Sequence, residues 1–279
     1  MNIARRTLAR GAILVLSAFV LAACGGGPDD AGQGAAAGSA GAADGEVMVF
    51  AAASLREALQ ELGTSFQRET GTRVVFNFAG SNDLAHQIQA TRGPDLFLSA
   101  SSAWMDTVQN AGRVVPQTRR DLLSNSLVIV AHASDTSTLA DPCALATHPF
   151  RNLAMGDPEA VPAGTYARTW LRSVRCGGAP LWDAVQARVA PAPDVRAALG
   201  LVLADPRVLG IVYRTDQRAF ADRTRVLLEV RGGPPIRFVL ARLADGAEPA
   251  NATRFYDYLA GPRGAEVFRR HGFMPLPAP

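Results

Sequence analysis

From residue 46 onward the chain alternates two hydrophobic periods. Residues 46–52 (EVMVFAA) make an apolar run of strand length, after which Leu55, Ala58, Leu59, Leu62 and Phe66 recur at helical spacing behind Ser54, a residue suited to capping. Residues 73–78 (RVVFNF) predict the next strand, and Ser81 the cap of a second helix through Leu84, Ile88 and Ala90. A third strand over 95–99 (DLFLS) precedes a helix around Trp104 and Val108. The same order restarts at 126–131 (SLVIVA), with strands at 153–155 and 209–213 and a helix carrying Val195, Ala198, Leu199, Val202 and Leu203. After Gly232-Gly233-Pro234-Pro235, a strand over 236–240 leads to two helices around Phe255, Tyr258 and Leu259, then Val267 and Phe268. Strand–helix alternation of this kind predicts mostly parallel, three-layer sheets. The order fits two α/β lobes, with the last segment returning to the first.

The junctions between these elements carry the chemistry. The stretch VFAAASLREA (49–58) ends a strand in three alanines and a serine just where a helix begins, so side chains leave the space ahead of the helix unfilled. A helix start of this kind offers unpaired backbone N–H groups, a hydroxyl and the positive end of the helix dipole, which together suit an anion. The device recurs at Ala79-Gly80-Ser81, and at Pro162-Ala163-Gly164 ahead of a helix with Tyr166, Ala167, Trp170 and Leu171 on one face. A fourth start is Pro193-Asp194-Val195, where Asp194 can cap and Val195 offers an amide. Ordinary capping accounts for any one of these ends; four in one chain point to convergence on an oxyanion.

The N-terminal segment changes the compartment. Arg5, Arg6 and Arg10 precede an apolar run from Gly11 to Ala23 that is short for a membrane span, the pattern of an export signal. The run closes on Leu21-Ala22-Ala23-Cys24, which resembles a bacterial lipobox, with cleavage before Cys24 and a lipid on that cysteine. Ordinary signal cleavage near Ala22, with Cys24 incidental, is the alternative. Residues 24–45 are dominated by Gly and Ala, lack large apolar side chains and read as a flexible tether.

Composition narrows the rest. The formal charge is +3, but three of the arginines lie in the signal, and the chain has no lysine. No basic run interleaved with aromatics points to nucleic acid. Besides Cys24, only Cys143 and Cys176 are present; their spacing fits no zinc pattern, and in an oxidising compartment they form a candidate disulfide.

Taken together, VFAAASL (49–55), NFAGSNDLAHQI (77–88), DLFLSAS (95–101), LLSNSLVIVA (122–131), GDPEAVPAGTYA (156–167), APAPDVRAALGLV (190–202), GIVY (210–213) and FYDYLAGPRGAEVFRRHGF (255–273) resemble the periplasmic molybdate-binding component of bacterial molybdate ABC importers. The match runs in order through nearly the whole body. It implies a type II periplasmic-binding-protein fold of two three-layer α/β lobes joined by crossing strands. On this reading residues 1–23 are the signal, 24–45 the tether, 46–128 and 236–279 the first lobe, and 129–235 the second. The ligand is molybdate or tungstate, a cargo rather than a cofactor, with molybdenum held only as the oxyanion. The resemblance assigns ligand contacts to Ser54 and Ser81 through hydroxyl and amide, to Ala163 and Val195 through backbone N–H, and to Tyr213 through its phenol. Gly80 stands where many members carry another serine, and Asn82 beside it is the candidate replacement donor. The implied partners are an importer's permease and ATPase. The expected protein is a periplasmic monomer that touches the membrane only through its lipid anchor.

Two rivals remain at this level. A relative could capture sulfate or another tetrahedral oxyanion. An exported hydrolase could use Ser54 or Ser81 as nucleophile with His86, His132, His148 or His271 as base. No spacing pairs these histidines with the serines, and Asp157 and Glu159 read as turn and capping residues.

Overall fold

The computed structural model describes residues 45–277. The expected signal, Cys24 and nearly all of the tether lie outside the described residues. In chain order the fold comprises β1 (Val47–Ala52), a 3-10 turn (Ala53–Leu55), α1 (Arg56–Thr70), β2 (Val74–Ala79), α2 (Ser81–Ala90), β3 (Leu96–Ser99), α3 (Ser102–Asn110) and β4 (Arg120–Ser124). It crosses through 125–126 to β5 (Leu127–His132), β6 (Asn152–Gly156), α4 (Pro162–Ser173), β7 (Arg175–Cys176), β8 (Ala179–Pro180), α5 (Leu181–Val185), β9 (Val189–Ala192), α6 (Val195–Ala204), β10 (Val208–Tyr213), α7 (Arg214–Ala219) and β11 (Thr224–Glu229). The return brings β12 (Phe238–Arg242), α8 (Pro249–Ala260), α9 (Pro262–Arg270) and β13 (Met274–Pro275).

Two sheets define two lobes. The first is ordered β13-β4-β12-β3-β1-β2 and the second β11-β5-β10-β6-β9. Only β2-β1-β3 in the first and β10-β6-β9 in the second pair in parallel. Contacts involving β4, β5, β11, β12 and β13 are antiparallel, which corrects the expectation of mostly parallel sheets. The reason is topological. Parallel neighbours need a crossover connection, usually a helix, whereas β4, β5, β11 and β12 are the strands by which the chain leaves and re-enters each lobe. The sequence divides the lobes after residues 128 and 235; in the fold Leu127 and Val128 already pair with Tyr213 and Val212 in the second sheet.

The hydrophobic periods bury as their spacing requires. In α1 the inward face is Ala58, Leu59, Leu62 and Phe66, and Phe66 meets Phe255 of α8 with ring centroids 4.9 Å apart. Burying a side chain of that size contributes roughly 1.5–3 kcal/mol, so the returning segment is held to the first lobe by core packing as well as by β12. In the second lobe a disulfide joins Cys143 to Cys176, tying the turn Pro142–Ala146 to β7.

Candidate functional site

Five helix or strand ends meet where the lobes face each other. Strand β1 is buried through Phe50, Ala51 and Ala52, and the chain turns through Ala53–Leu55 before α1. The tightness of that 3-10 turn places Ser54 inside it, 3 % exposed, instead of at a helix cap. Its hydroxyl has no protein partner. Ser81 likewise does not cap α2, whose cap residue is Gly80. The Ser81 hydroxyl instead accepts the Ala100 N–H at 2.9 Å, which leaves its own proton to donate elsewhere.

The second lobe supplies two helix starts. Helix α4 follows Val161, which gives it no side-chain cap, and begins at Pro162, so the Ala163 N–H stands at its head. Gly164 makes this approach possible: a β-carbon there would lie 1.9 Å from the Gly156 carbonyl oxygen at the end of β6. At α6, Asp194 accepts from Arg196 N–H at 2.7 Å and Ala197 N–H at 2.9 Å. The carboxylate therefore occupies those two amides and leaves that of Val195 in front.

Tyr213 ends β10. Its ring packs against Phe238 at 5.5 Å, it is 1 % exposed, and its hydroxyl has no protein partner. Burial, then the neighbouring Tyr166 and Asp216, push its phenol well above the ordinary range, so it is a neutral O–H donor.

Ser54, Ser81, Ala163, Val195 and Tyr213 all line one cavity, together with Ala52, Ala53, Ala79, Gly80, Ala100, Val161, Pro162 and Asp194. The cavity is small, about 10 Å³, on the order of one water-sized sphere. Among the described residues no Arg, Lys or His lines it. The arrangement can accept a small species rich in lone pairs, through hydroxyl and amide donors converging from both lobes.

Some lining was missed and some expected members are elsewhere. Ala100 was not singled out; its N–H orients Ser81, and its carbonyl accepts from the Tyr166 hydroxyl across the lobes at 3.3 Å. The signal was present as the small residues closing DLFLSAS. Asn82 does not line the cavity, and its amide nitrogen donates to Asp83 at 2.8 Å. Gly80 serves closure: a β-carbon on it would sit 2.7 Å from the Pro193 carbonyl oxygen of the opposite lobe. None of the four histidines lines the cavity. His86 packs on Trp104, His132 meets Ser134, His148 meets Ser137 and His271 meets Glu61.

Comparison with known proteins bears on this geometry. Residues 47–274 match the family model described as bacterial extracellular solute-binding protein. The molybdate-binding protein ModA of Escherichia coli (strain K12) is 41 % identical over 244 residues, covering 86 % of this chain and 93 % of that protein. Among solved structures, the periplasmic molybdate-binding protein of Azotobacter vinelandii superposes with a TM-score of 0.69 at 23 % identity, over 83 % of this chain and all of that one. The sulfate-binding protein SubI of Mycobacterium tuberculosis H37Rv gives 0.73 at 14 % identity, over 83 % and 87 %. The last two are likenesses of fold alone.

Proposed function

The chain belongs to the bacterial extracellular solute-binding proteins, and from that premise we propose that its inter-lobe cavity holds molybdate or tungstate through neutral donors. The protein captures the oxyanion outside the cytoplasm and delivers it to an ABC importer. The observation that carries the site assignment is the convergence of two unpartnered buried hydroxyls, Ser54 and Tyr213, with the helix starts at Ser81, Ala163 and Val195.

The physical account follows from that donor set. A dianion brought into this space meets no counter-charge, so its charge is dispersed into peptide dipoles at four helix starts and into three hydroxyl protons. Ser54 and Ser81 donate from the first lobe; Ala163, Val195 and Tyr213 from the second. Donors fixed on rigid elements select by size and protonation. Phosphate retaining a proton presents a donor to donors, a mismatch worth about 1–3 kcal/mol in a buried site. Sulfate is fully deprotonated but has shorter bonds, and a smaller tetrahedron cannot reach all donors together. Molybdate and tungstate, nearly equal in size, are poorly distinguished.

The protein acts by binding and release without bond chemistry. The family relation supports this; no histidine lines the cavity, and the one carboxylate on its wall, Asp194, is engaged by the Arg196 and Ala197 amides. Closure of the lobes both buries the ion and forms the surface that the permease reads. The chain is exported, cut before Cys24, lipidated there and held at the membrane as a monomer on its Gly/Ala tether, a reading supported by the order of residues 5–45.

Native mass spectrometry after incubation with equimolar molybdate, tungstate, sulfate and phosphate tests the assignment. Retention of a single molybdate or tungstate is the expected result. Retention of sulfate, or of none, overturns it.

A further inference from the structure

Arg196 stands in the first turn of α6, beside Val195, where a basic side chain opposes the positive end of the helix dipole. Its guanidinium does not line the cavity and runs instead to two carboxylates on different lobes. Asp216, fully buried in α7 of the second lobe, has Oδ1 2.5 Å from Arg196 Nε, an ion pair without the alignment of a hydrogen bond. Glu57, in the first turn of α1 in the first lobe, accepts from both terminal nitrogens; the Nη1 to Oε1 distance is 2.9 Å. This fork is the only ion pair between the lobes among the described residues. The other cross-lobe bonds near the cavity are neutral: Trp104 Nε1 donates to the Ala160 carbonyl at 2.8 Å and the Tyr166 hydroxyl to that of Ala100.

We propose that Arg196 and Glu57 form a closure latch, an ion pair made as the lobes meet and broken as they part, with Asp216 holding Arg196 in both states. The two ends are tied to cavity donors: Arg196 follows Val195 directly, and Glu57 lies one helical turn beyond Ser54. Movement of either donor helix therefore moves the latch. The pair is bidentate, the pairing in which an Arg–carboxylate contact is strong and direction-specific. The Arg196 side chain is 14 % exposed and that of Glu57 35 %, so solvent screens the contact only in part. An arginine left alone in a closed interface would be costly. Asp216, on the same lobe, removes that cost on opening, and Glu57 returns to water. The latch thus favours the closed state without locking it, as a protein that must release its cargo requires.

The effect on affinity rests on the reading of the cavity as an oxyanion site; the effect on closure does not. The test compares wild type with Glu57→Gln and Glu57→Ala, two changes at a half-exposed position, by molybdate titration, stopped-flow release and the NMR signal of the Trp104 indole N–H. Both variants are expected to bind about tenfold more weakly, a typical coupling strength, mainly through faster release. The melting temperature without molybdate stays that of wild type, and the indole signal moves towards its unbonded position. Unchanged affinity in both variants, with wild type binding normally, overturns the latch. If wild type binds no molybdate, the site assignment has failed, and an indole signal identical in all three proteins then overturns the latch separately.

Discussion

A hydroxyl buried without a partner costs a folded protein about 1–3 kcal/mol, and Ser54 and Tyr213 both stand in that condition on one cavity wall. Ser54→Ala and Tyr213→Phe are therefore expected to weaken molybdate binding at least about tenfold each, while leaving the melting temperature of the protein without molybdate unchanged or higher. Paired titrations and melts check this; a variant that loses stability and keeps affinity contradicts it. Ser81→Ala differs, since it also removes the acceptor of the Ala100 N–H and lowers both quantities. Asp216 sets a pH dependence. Burial raises its carboxyl from 3.8 to about 6 against the opposing pull of Arg196. A raised acid favours folding while protonated, so its contribution is full below its unfolded value and is lost as pH rises through about 6. Melts between pH 5 and 7 should show a fall in wild type that is reduced in Asp216→Asn; equal slopes would contradict the assignment. At this scale Ser54, Ser81, Ala163 and Val195 were legible as positions at helix starts, whereas Tyr213, inside the strand run 209–213, entered only through the family resemblance. Their hydroxyl partners were not legible. Ser54 and Ser81 read as caps, and the orientation of Ser81 depends on Ala100, which local sequence rules do not reach. The Arg196–Glu57 fork joins positions 139 apart.

Elements decide how closely the donors approach. Gly80 lets α2 meet the Pro193 carbonyl across the lobes, and a β-carbon there would stand at 2.7 Å. Gly80→Ala is therefore expected to weaken molybdate binding more than it lowers the melting temperature of the protein without it, because the other close atom, Asn82 Oδ1 at 2.5 Å on the same helix, ends a side chain that can turn away. An unchanged affinity would show that the contact yields. The disulfide acts differently. Cys143 and Cys176 lie 33 residues apart and neither lines the cavity; closing a loop of that size contributes roughly 3–4 kcal/mol through the unfolded chain. Cys143→Ser with Cys176→Ser should lower the melting temperature and leave molybdate affinity intact. Element order was readable from hydrophobic period, as in α1 and α6. Strand direction was not, because β5 and β12 read locally like any other strand and only the path between lobes makes them antiparallel.

At the scale of the whole molecule, the two lobes each line one side of the cavity, and in the proposed function each holds part of a donor set completed by closure. Ser54 and Ser81 come from one sheet, Ala163, Val195 and Tyr213 from the other, and the two crossings at 125–126 and 230–237 let them part. A sulfate-binding protein shares this fold, and a fold does not by itself fix its ligand; in the proposed function the donors choose the ion. Calorimetric titration of the purified protein with molybdate, tungstate, sulfate and phosphate tests that claim most directly. The account predicts tight one-to-one binding of molybdate and tungstate, with sulfate and phosphate unable to compete. Sulfate binding as tightly as molybdate, or no binding of any of the four, would contradict it.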